Sequence, residues 1–234
     1  MTRFACDLHI HSCLSPCADD DMTPYTVAGI AKLNGLDMAA LCDHNSCANV
    51  KVFLDACRHY GIIGVPGMEL TTAEDIHAIC LFPTLEQAKI WDETVERHRV
   101  LIRNRAEIYG RQVLIGADDE PCGEEEHLLV NATTLSLSEA AKLVRRLGGA
   151  FYPAHIDREA NGILAILGAL PEEPNFPTVE RRDGAAYADR RVVKASDAHR
   201  PWEILEDGCP IELAADKDDA QGARDALIQL LEEG

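Results

Sequence analysis

Two short segments near opposite ends of the chain place metal-binding side chains two residues apart. The first, Asp7-Leu8-His9-Ile10-His11-Ser12, carries two histidines, and the second, Ser196-Asp197-Ala198-His199, carries an aspartate and a histidine. Side chains two residues apart on a strand point to the same face. Imidazole and carboxylate are ordinary ligands of divalent metals. One such pair is weak evidence, because polar pairs on solvated strands are common, but two in one chain suggest a shared site.

Further candidate ligands lie between these segments, and most follow apolar, β-rich runs. They are Asp43-His44-Asn45, Glu69, His77 and His155. When the first two segments are included, six histidines lie at or near the ends of predicted strands: His9, His11, His44, His77, His155 and His199. For any single one, a hydrogen-bonded core or surface histidine is the simpler interpretation. Their clustering, together with Glu69 and Asp197, favours a site that holds more than one metal ion.

The elements that must position these residues alternate between strand and helix. Predicted strands cover residues 3–10, 37–42, 62–65, 76–82, 150–153, 176–180, 191–195 and 210–213. Predicted helices cover about 23–34, 48–60, 88–109, 136–147 and a final amphipathic stretch from 223, and residues 116–126 are predicted to be an acidic loop. This alternation predicts an α/β fold, a barrel of parallel strands with outer helices whose strand ends gather the ligands. We expect one domain spanning residues 1–234.

The charge of the chain bears on its partners. The formal net charge is −18, whereas general nucleic-acid binders need a basic surface. We therefore expect no extended duplex nucleic acid as a partner. Bound cations can still attract an anion into a pocket, so a small phosphorylated substrate or a short chain end is expected.

The composition also suggests a compartment. No apolar run approaches membrane-spanning length, and a strand pattern begins almost at once, without a signal peptide. We expect a cytoplasmic protein with no membrane partner. Its nine cysteines are then expected to be reduced.

Five motifs, which run in order from Asp7 to His199, resemble those of the PHP (polymerase and histidinol phosphatase) family of metal-dependent phosphoesterases. They are Asp-Leu-His-Ile-His-Ser, Asp-His-Asn, Gly-Met-Glu-Leu with a later histidine, Ala-His-Ile-Asp-Arg and Ser-Asp-Ala-His. The resemblance implies a distorted, TIM-like (β/α)7 barrel. It also implies two or three divalent ions, which are Mn, Fe, Zn or Mg, and hydrolysis of a phosphate ester. The ester would belong to a small metabolite, a nucleotide or an oligonucleotide end.

Transferred to this sequence, the family pattern implies three sets of metal ligands. The first is His9, His11, Glu69 and Asp197; the second is Glu69, His77 and His155; the third is His44 and His199 with a ligand from the loop after the first motif. In that loop the usual short Ser-Asp-Gly is replaced by the longer Ser-Pro-Cys-Ala-Asp-Asp-Asp. Counting back from Thr23 favours Asp19, with Asp20 as the alternative. Asp7 is expected to support the ligands rather than to bind an ion.

The chemistry of phosphate esters assigns the remaining roles. Metal ions lower the pKa of a bound water, so that hydroxide is available at neutral pH, and they hold the phosphoryl oxygens. We expect Glu69, Asp197 and His199 to be the catalytic residues, with either His199 or an ordered water as proton donor to the leaving oxygen. Arg158 and Arg200 each follow a ligand motif and are expected to bind the phosphate, although a solvent-facing or ion-paired arginine is an equal alternative.

The motifs leave three alternatives open. An amidohydrolase that cleaves C–N bonds also begins with His-x-His, but it typically uses a bridging lysine, and no lysine lies near a strand end in the middle of this chain. A metal-bound regulatory module without catalysis is the second. The third concerns Cys13, Cys17 and Cys47, which flank ligand motifs. These cysteines could bind a soft metal or sense oxidation, but we favour the interpretation that they have no role.

Overall fold

Within residues 1–233, which the computed structural model describes, strands and helices alternate, and the α/β class is confirmed. The strands are β1 (Thr2–Ile10), β2 (Met38–Leu41), β3 (Ile63–Thr71), β4 (His77–Leu81), β5 (Val113–Ile115), β6 (Pro121–Glu124), β7 (Ala150–Pro153), β8 (Thr178–Glu180), β9 (Arg191–Val193) and β10 (Cys209–Leu213). The helices are α1 (Pro24–Leu33), α2 (Val50–Tyr60), α3 (Leu85–Glu96), α4 (Ala106–Tyr109), α5 (Leu137–Arg146), α6 (Ile163–Leu167) and α7 (Ala220–Glu232).

Six strands form one curled sheet in the order β10-β1-β2-β3-β4-β7. The β1–β2 and β2–β3 pairs are parallel, whereas β3–β4, β4–β7 and β1–β10 are antiparallel. The expectation of parallel strands throughout is therefore wrong. Residues 72–76 alone join β3 to β4, and they are too few for the crossover that a parallel pair requires. The resulting hairpin pairs Thr71, at the end of β3, with His77, at the start of β4.

β8 and β9 form a separate parallel pair, which hydrogen bonds connect to the sheet. The amide of Ile156, after β7, donates to the Glu180 carbonyl at 2.9 Å, and the amide of His11 donates to the Ala198 carbonyl, beyond β9, also at 2.9 Å. These contacts bring the segment after β9 beside the end of β1. The continuous ladder nevertheless has six strands, so a closed seven-stranded barrel is not confirmed.

Two buried clusters hold the sheet in place. An inner cluster collects side chains from the strands and from α7, among them Phe4, Val65 and Leu227. An outer cluster packs the strands against the other helices and includes Phe53 of α2 and Trp91 of α3. All five of these side chains are fully buried. Both faces of the sheet are therefore covered, as expected when helices surround strands.

The last residues of β1 change faces. Leu8 belongs to the inner cluster, whereas Ile10, two residues on, belongs to the outer one. Strict alternation would place both on the same face and would turn His9 and His11 outward. However, the pairing of β1 with β2 shifts register between Asp7 and Ile10, and such an irregularity redirects the side chains that follow it. Both histidines consequently point inward, where the candidate site lies.

The predicted helix from 88 to 109 is interrupted: residues 106–109 are helical in α4, but the prediction is wrong for residues 97–105, beyond the end of α3 at Glu96. The backbone that follows bonds to a distant segment instead, since the Asn104 amide donates to the Glu126 carbonyl at 2.8 Å. Within the predicted loop 116–126, residues 121–124 form β6, which pairs with β5. Among the described residues, no helix combines the length and apolar character needed to cross a membrane.

A capping box at Ser136 begins α5 and can be tested directly. The Ser136 hydroxyl accepts a hydrogen bond from the Glu139 amide, and the Glu139 carboxylate accepts one from the Ser136 amide at 3.2 Å. We expect Ser136→Ala to lower the free energy of unfolding by about 1 kcal/mol, measured by urea denaturation. Ser138→Ala, within the same helix, is the matched control and is expected to have a smaller effect; equal decreases would contradict the capping role.

Candidate metal centre

Six histidines and two carboxylates meet at one edge of the sheet. They come from β1 and the residue after it (His9, His11), the loop after β2 (His44), β3 (Glu69), the start of β4 (His77), the loop after β7 (His155) and the loop after β9 (Asp197, His199). Because β3 and β4 form a hairpin, His77 reaches this edge from the start of its strand rather than from the end. Eight of the nine predicted ligands therefore lie together.

Within this cluster, three sets of residues have ligand atoms that all lie within 4.8 Å of one another. The sets are His9, His11, Glu69 and Asp197; His44, Glu69 and His77; and His11, His44 and His199. Glu69 belongs to two of them, as a bridging carboxylate would. Mixed nitrogen and oxygen sets of this kind are typical sites for zinc, manganese or iron.

Glu69 lies at the centre of the cluster and is buried. Its contacts are His77 Nδ1 at 2.8 Å and His155 Nε2 at 3.0 Å from Oε1, and His44 Nδ1 at 2.9 Å, His11 Nε2 at 3.4 Å and His9 Nε2 at 3.5 Å from Oε2. A buried carboxylate is stable only when it is paired or binds a metal ion. Five imidazoles around one carboxylate are more than pairing alone requires.

Several atoms of the cluster lack the hydrogen bonds that buried polar atoms normally make. Within residues 1–233, His44 Nδ1, His77 Nδ1, Glu69 Oε2 and Asp197 Oδ1 are buried without a hydrogen-bond partner, despite their short separations. Such atoms are rare in folded proteins and costly. Donor atoms that converge without hydrogen-bond geometry match the arrangement that a metal ion needs. The residues present thus fit divalent metal ions.

Glu180 supports two of these ligands and was not among the predicted site residues. Its carboxylate oxygens lie 3.1 and 3.0 Å from His9 Nδ1, and Oε1 also accepts a hydrogen bond from the His155 amide at 3.0 Å. With Nδ1 donating to Glu180, the His9 Nε2 lone pair faces Glu69, as a metal ligand requires. Glu180 ends a predicted strand, as several ligands do, and that position was the available signal.

A second carboxylate sets the orientation of His11. Asp43 accepts hydrogen bonds from the Ser15 hydroxyl at 2.7 Å and from the Ser12 amide at 2.7 Å. Because the Ser15 hydroxyl donates to Asp43, it accepts from His11 Nδ1, which lies 2.9 Å away. The His11 Nε2 lone pair therefore faces the cluster, where the other ligands lie.

Asp7 supports the loop that carries Asp197, as predicted. It is buried and accepts hydrogen bonds from the Ser196 amide at 3.0 Å and from the Leu205 amide at 3.1 Å. The backbone of Asp197 has a φ of 53°, and that of His155 has a φ of 27°. Such values are uncommon outside glycine and tend to occur at functional sites. The fold thus holds two predicted ligands in strained conformations.

The carboxylates control the ionisation of the histidines. Burial lowers the pKa of His11, but the carboxylates of Asp197 and Glu69 outweigh it and raise the pKa to about 9. For His44, burial is likewise outweighed, chiefly by Glu69, and the pKa is also about 9. Burial opposes ionisation of Glu69, yet the surrounding imidazoles, with His77 foremost, hold its pKa well below the usual range. Positive charge is therefore favoured on His11 and His44, beside the ionised Glu69 carboxylate.

A cleft of about 510 Å³ opens beside Asp197 and His199. Both arginines expected to bind phosphate line it. Arg158 Nη1 lies 3.2 Å from Asp197 Oδ2, and Arg200 Nη1 lies 3.1 Å from Glu203 Oε1. A larger cavity of about 760 Å³ lies between α2 and α7, but none of the predicted ligands lines it. The cleft is thus the candidate substrate entrance.

Asp19 and Asp20 lie outside the ligand cluster. Asp19 Oδ1 is 3.7 Å from Arg200 Nε, and Asp20 Oδ2 is 3.0 Å from Arg111 Nη1. The Asp19 amide donates to the His199 carbonyl at 2.9 Å, so its backbone lies next to the third set of ligands even though its carboxylate belongs to none of the three sets. Asp19 as a ligand stays a prediction.

The three cysteines that flank ligand motifs have different surroundings. Cys13 is buried with its thiol 3.8 Å from the Val113 carbonyl, and Cys47 is buried with its thiol 3.3 Å from the Gly67 carbonyl. Cys17 is exposed and lines the cleft. None of them belongs to the three sets of ligands found among the described residues. This arrangement favours thiols without a shared metal.

The raised pKa values predict that metal binding releases protons. At pH 7, ion-depleted protein is expected to hold protons on His11 and His44, whose pKa values are about 9, and a metal ion must displace them. Apparent affinity for Mn²⁺ should therefore rise with pH up to about 9 and then level off. Calorimetric titration in two buffers of different ionisation enthalpy measures the protons released, and identical heats in both buffers would contradict the expectation.

Comparison with known proteins finds similarity in fold. No family model matches the chain, and no curated protein matches it in sequence. The lesion-specific endonuclease Q from Pyrococcus furiosus matches with a TM-score of 0.62 at 19% identity, over 86% of this chain and 49% of that one. Endonuclease Q bound to a 27-mer duplex with an abasic lesion matches with a TM-score of 0.60 at 18% identity, over 86% and 50%. The chain spans about half the length of these endonucleases.

Two other structures match over nearly their whole length. A protein from Bifidobacterium adolescentis, assigned as a metal-dependent phosphoesterase, has a TM-score of 0.53 at 18% identity, over 95% of both chains. An amidohydrolase from Chromobacterium violaceum, with bound sulfate, has a TM-score of 0.54 at 17% identity, over 94% of this chain and 96% of that one.

These matches correct the expectation that extended duplex nucleic acid is excluded. Endonuclease Q, which contains this fold, is complexed with a 27-mer duplex, so the fold itself does not exclude such a partner. Net charge sums the whole surface, whereas binding depends on local charge near the site and on any bound cations. The chain shares the fold of metal-dependent phosphoesterase and endonuclease structures, and this shared fold supports the resemblance to the PHP family that its five motifs carry.

Proposed function

We propose that the protein is a metal-dependent phosphoesterase that hydrolyses a phosphate ester at a site for two or three divalent ions. The observation that carries this proposal is the buried Glu69 carboxylate surrounded by imidazoles, with ligand atoms that have no hydrogen-bond partner among the described residues. The fold it shares with a metal-dependent phosphoesterase and with endonucleases supports it. We further propose that the chain is one domain and that β8 and β9 complete a distorted (β/α)7 barrel.

The assignment of ligands follows the three sets. His9, His11, Glu69 and Asp197 would hold one ion, and Glu69 would bridge to a second, held with His77 and by His155 or His44. His11, His44 and His199 would contribute to a third. When bound, such ions lower the pKa of a coordinated water and neutralise charge on the phosphoryl oxygens. Mn, Fe, Zn and Mg are the candidate ions.

The side chains at the entrance orient the substrate. Arg158 and Arg200 line the cleft next to Asp197 and His199, where planar guanidinium groups can donate paired hydrogen bonds to a phosphate. His199 is less suited to protonate the leaving oxygen, because burial and the charge of His11 lower its pKa to about 3. A neutral His199 fits the role of ligand, which favours an ordered water as the proton donor.

The amidohydrolase alternative has a structural neighbour of its fold, but the site argues against it. No lysine is among the residues that line the cleft in the described part of the chain. Glu69 occupies the bridging position that lysine typically fills in that group. A purely regulatory module is also less favoured, since an open cleft leads to the cluster.

Removal of a ligand tests the proposal. We expect His9→Ala and Asp197→Ala each to lose bound metal, measured by elemental analysis, and to lower Mn²⁺-dependent hydrolysis of p-nitrophenyl phosphate by at least about a hundredfold. His59→Ala, an exposed histidine of α2, is the matched control and should change neither. Turnover retained in metal-free His9→Ala protein, or hydrolysis of cyclic amides in place of phosphate esters, would refute the assignment.

A second candidate function is cleavage of phosphodiester bonds in nucleic acid. Residues 97–111 carry five arginines and one glutamate in a chain whose net charge is −18. Arg103 and Arg105 are exposed. This segment adjoins the loop that lines the cleft, because Arg111 Nη1 lies 3.0 Å from Asp20 Oδ2 and Gly110 packs directly against the Pro16 carbonyl. A basic segment beside the site favours a polyanionic substrate.

Binding of duplex DNA tests this second candidate. We expect the metal-loaded protein to bind a fluorescent duplex with an abasic site, and the double variant Arg103→Ala/Arg105→Ala to bind it more weakly. The slope of the logarithm of affinity against the logarithm of salt concentration should become shallower by about one for each of these arginines that neutralises a phosphate. Arg146→Ala, an exposed arginine on α5, is the matched control. Anisotropy that shows no binding at low salt, or an equal weakening in the control, would exclude the role of this segment.

A further inference from the structure

Arg182 is a third arginine at the entrance of the candidate site. It lies two residues beyond the end of β8 and lines the same cleft as Arg158, Arg200, Asp197 and His199. Its side chain is exposed. Within residues 1–233 its guanidinium makes no ion pair or hydrogen bond, and only its backbone amide is engaged, with Asp157 Oδ1 at 3.2 Å. An unpaired arginine thus faces the space that a substrate would enter.

The neighbouring arginines each have a carboxylate partner within the protein. Arg181 directs its guanidinium to the carboxylate of Asp183, with distances of 2.9 and 2.7 Å. Arg158 lies 3.2 Å from Asp197, and Arg200 lies 3.1 Å from Glu203. Of the four arginines in this region, Arg182 alone has no carboxylate partner among the described residues. Its charge is therefore available to a ligand.

The two acidic residues that line the cleft both have partners within the protein. They are Asp197, which belongs to the metal-ligand cluster, and Glu203, which accepts hydrogen bonds from Arg200 at 3.1 Å and from the His199 amide at 2.9 Å. In a chain with a net charge of −18, this local excess of guanidinium groups is unusual. The volume of about 510 Å³ is in the range of sites that hold whole small molecules rather than a lone phosphoryl group.

We propose that the substrate carries a second phosphate besides the one that is hydrolysed, and that Arg182 binds this second phosphate. The proposal rests on the proposed phosphoesterase function and specifies its substrate class as bisphosphorylated molecules. The ligand cluster would hold metal ions that, with Arg158, bind the phosphate that reacts, and Arg182 binds the other phosphate at the wall of the cleft. A guanidinium donates two parallel hydrogen bonds to a phosphate, which a lysine cannot reproduce.

Because Arg182 contacts a group that does not react, its removal should weaken binding more than turnover. For Arg182→Gln we expect KM for bisphosphates to rise about tenfold or more while kcat changes little. Hydrolysis of p-nitrophenyl phosphate, which has no second phosphate, should be unchanged. Arg182→Lys should restore part of the affinity, since it keeps the charge but does not provide the paired geometry.

The experiment compares matched substrate pairs on the Mn²⁺-loaded enzyme. One pair is a hexose bisphosphate and the hexose monophosphate, and the other is a nucleoside bisphosphate and the nucleoside monophosphate. Comparing the two pairs shows whether the second phosphate belongs to a sugar or to a nucleotide. Arg181→Gln is the matched control, because its guanidinium is held by Asp183. We expect the wild type to prefer the bisphosphate in at least one pair, and Arg182→Gln, but not Arg181→Gln, to abolish this preference.

Two outcomes would overturn the proposal: no preference for a bisphosphate in either pair, or a preference that survives in Arg182→Gln. Failure of the phosphoesterase function itself would show differently, as absence of turnover with every ester, p-nitrophenyl phosphate included. In that event calorimetric binding of the same bisphosphates to wild type and Arg182→Gln still decides the matter. Equal affinities, or no binding, would reject Arg182 as a phosphate site.

Discussion

The structure depends on one buried carboxylate. Glu69 lies near the end of β3, and imidazole nitrogens of His44, His77 and His155 lie within 3.0 Å of its carboxylate oxygens. Burying a charged group without compensation is unfavourable, and removing one partner of a buried pair leaves the other buried and uncompensated. Each element of the sheet that supplies an imidazole is consequently tied to the others through Glu69. Metal ions bound here would couple ligand binding to the stability of the whole sheet.

The residues around the cluster show how this arrangement is held. Glu180, Asp43 and Asp7 are buried carboxylates that belong to no predicted ligand set but accept hydrogen bonds from ligand side chains or from the backbone next to them. Glu180 and Asp43 determine which nitrogen of His9 and His11 faces the centre. The cluster is therefore preorganised, and its converging atoms remain unpaired among the described residues.

Charge is distributed unevenly over the molecule. The chain is strongly acidic as a whole, with a formal charge of −18, yet three arginines line the entrance to the cluster, and residues 97–111 add further basic groups beside it. Local potential, rather than net charge, decides which anions approach a site. For this reason composition alone was a poor guide to duplex nucleic acid as a partner.

The sequence by itself determined which side chains could bind metal ions at the candidate site. Ligand types, their position at strand ends and the motif at Asp197-x-His199 all follow from local patterns, because side-chain alternation and residue type are local properties. The strand and helix assignments near these motifs were also predictable, except where long-range bonds decided the outcome. Residues 97–105, for example, have a helical pattern but bond to a distant segment instead.

Only the tertiary structure decided the rest. The β3–β4 hairpin brings His77 to the cluster from the start of its strand, and the register shift in β1 turns His9 and His11 inward. Neither is visible in periodicity, because both depend on pairing with other strands. The roles of Glu180 and Arg182 likewise follow from proximity, since residues far apart in the chain acquire a function from neighbours that the fold alone determines.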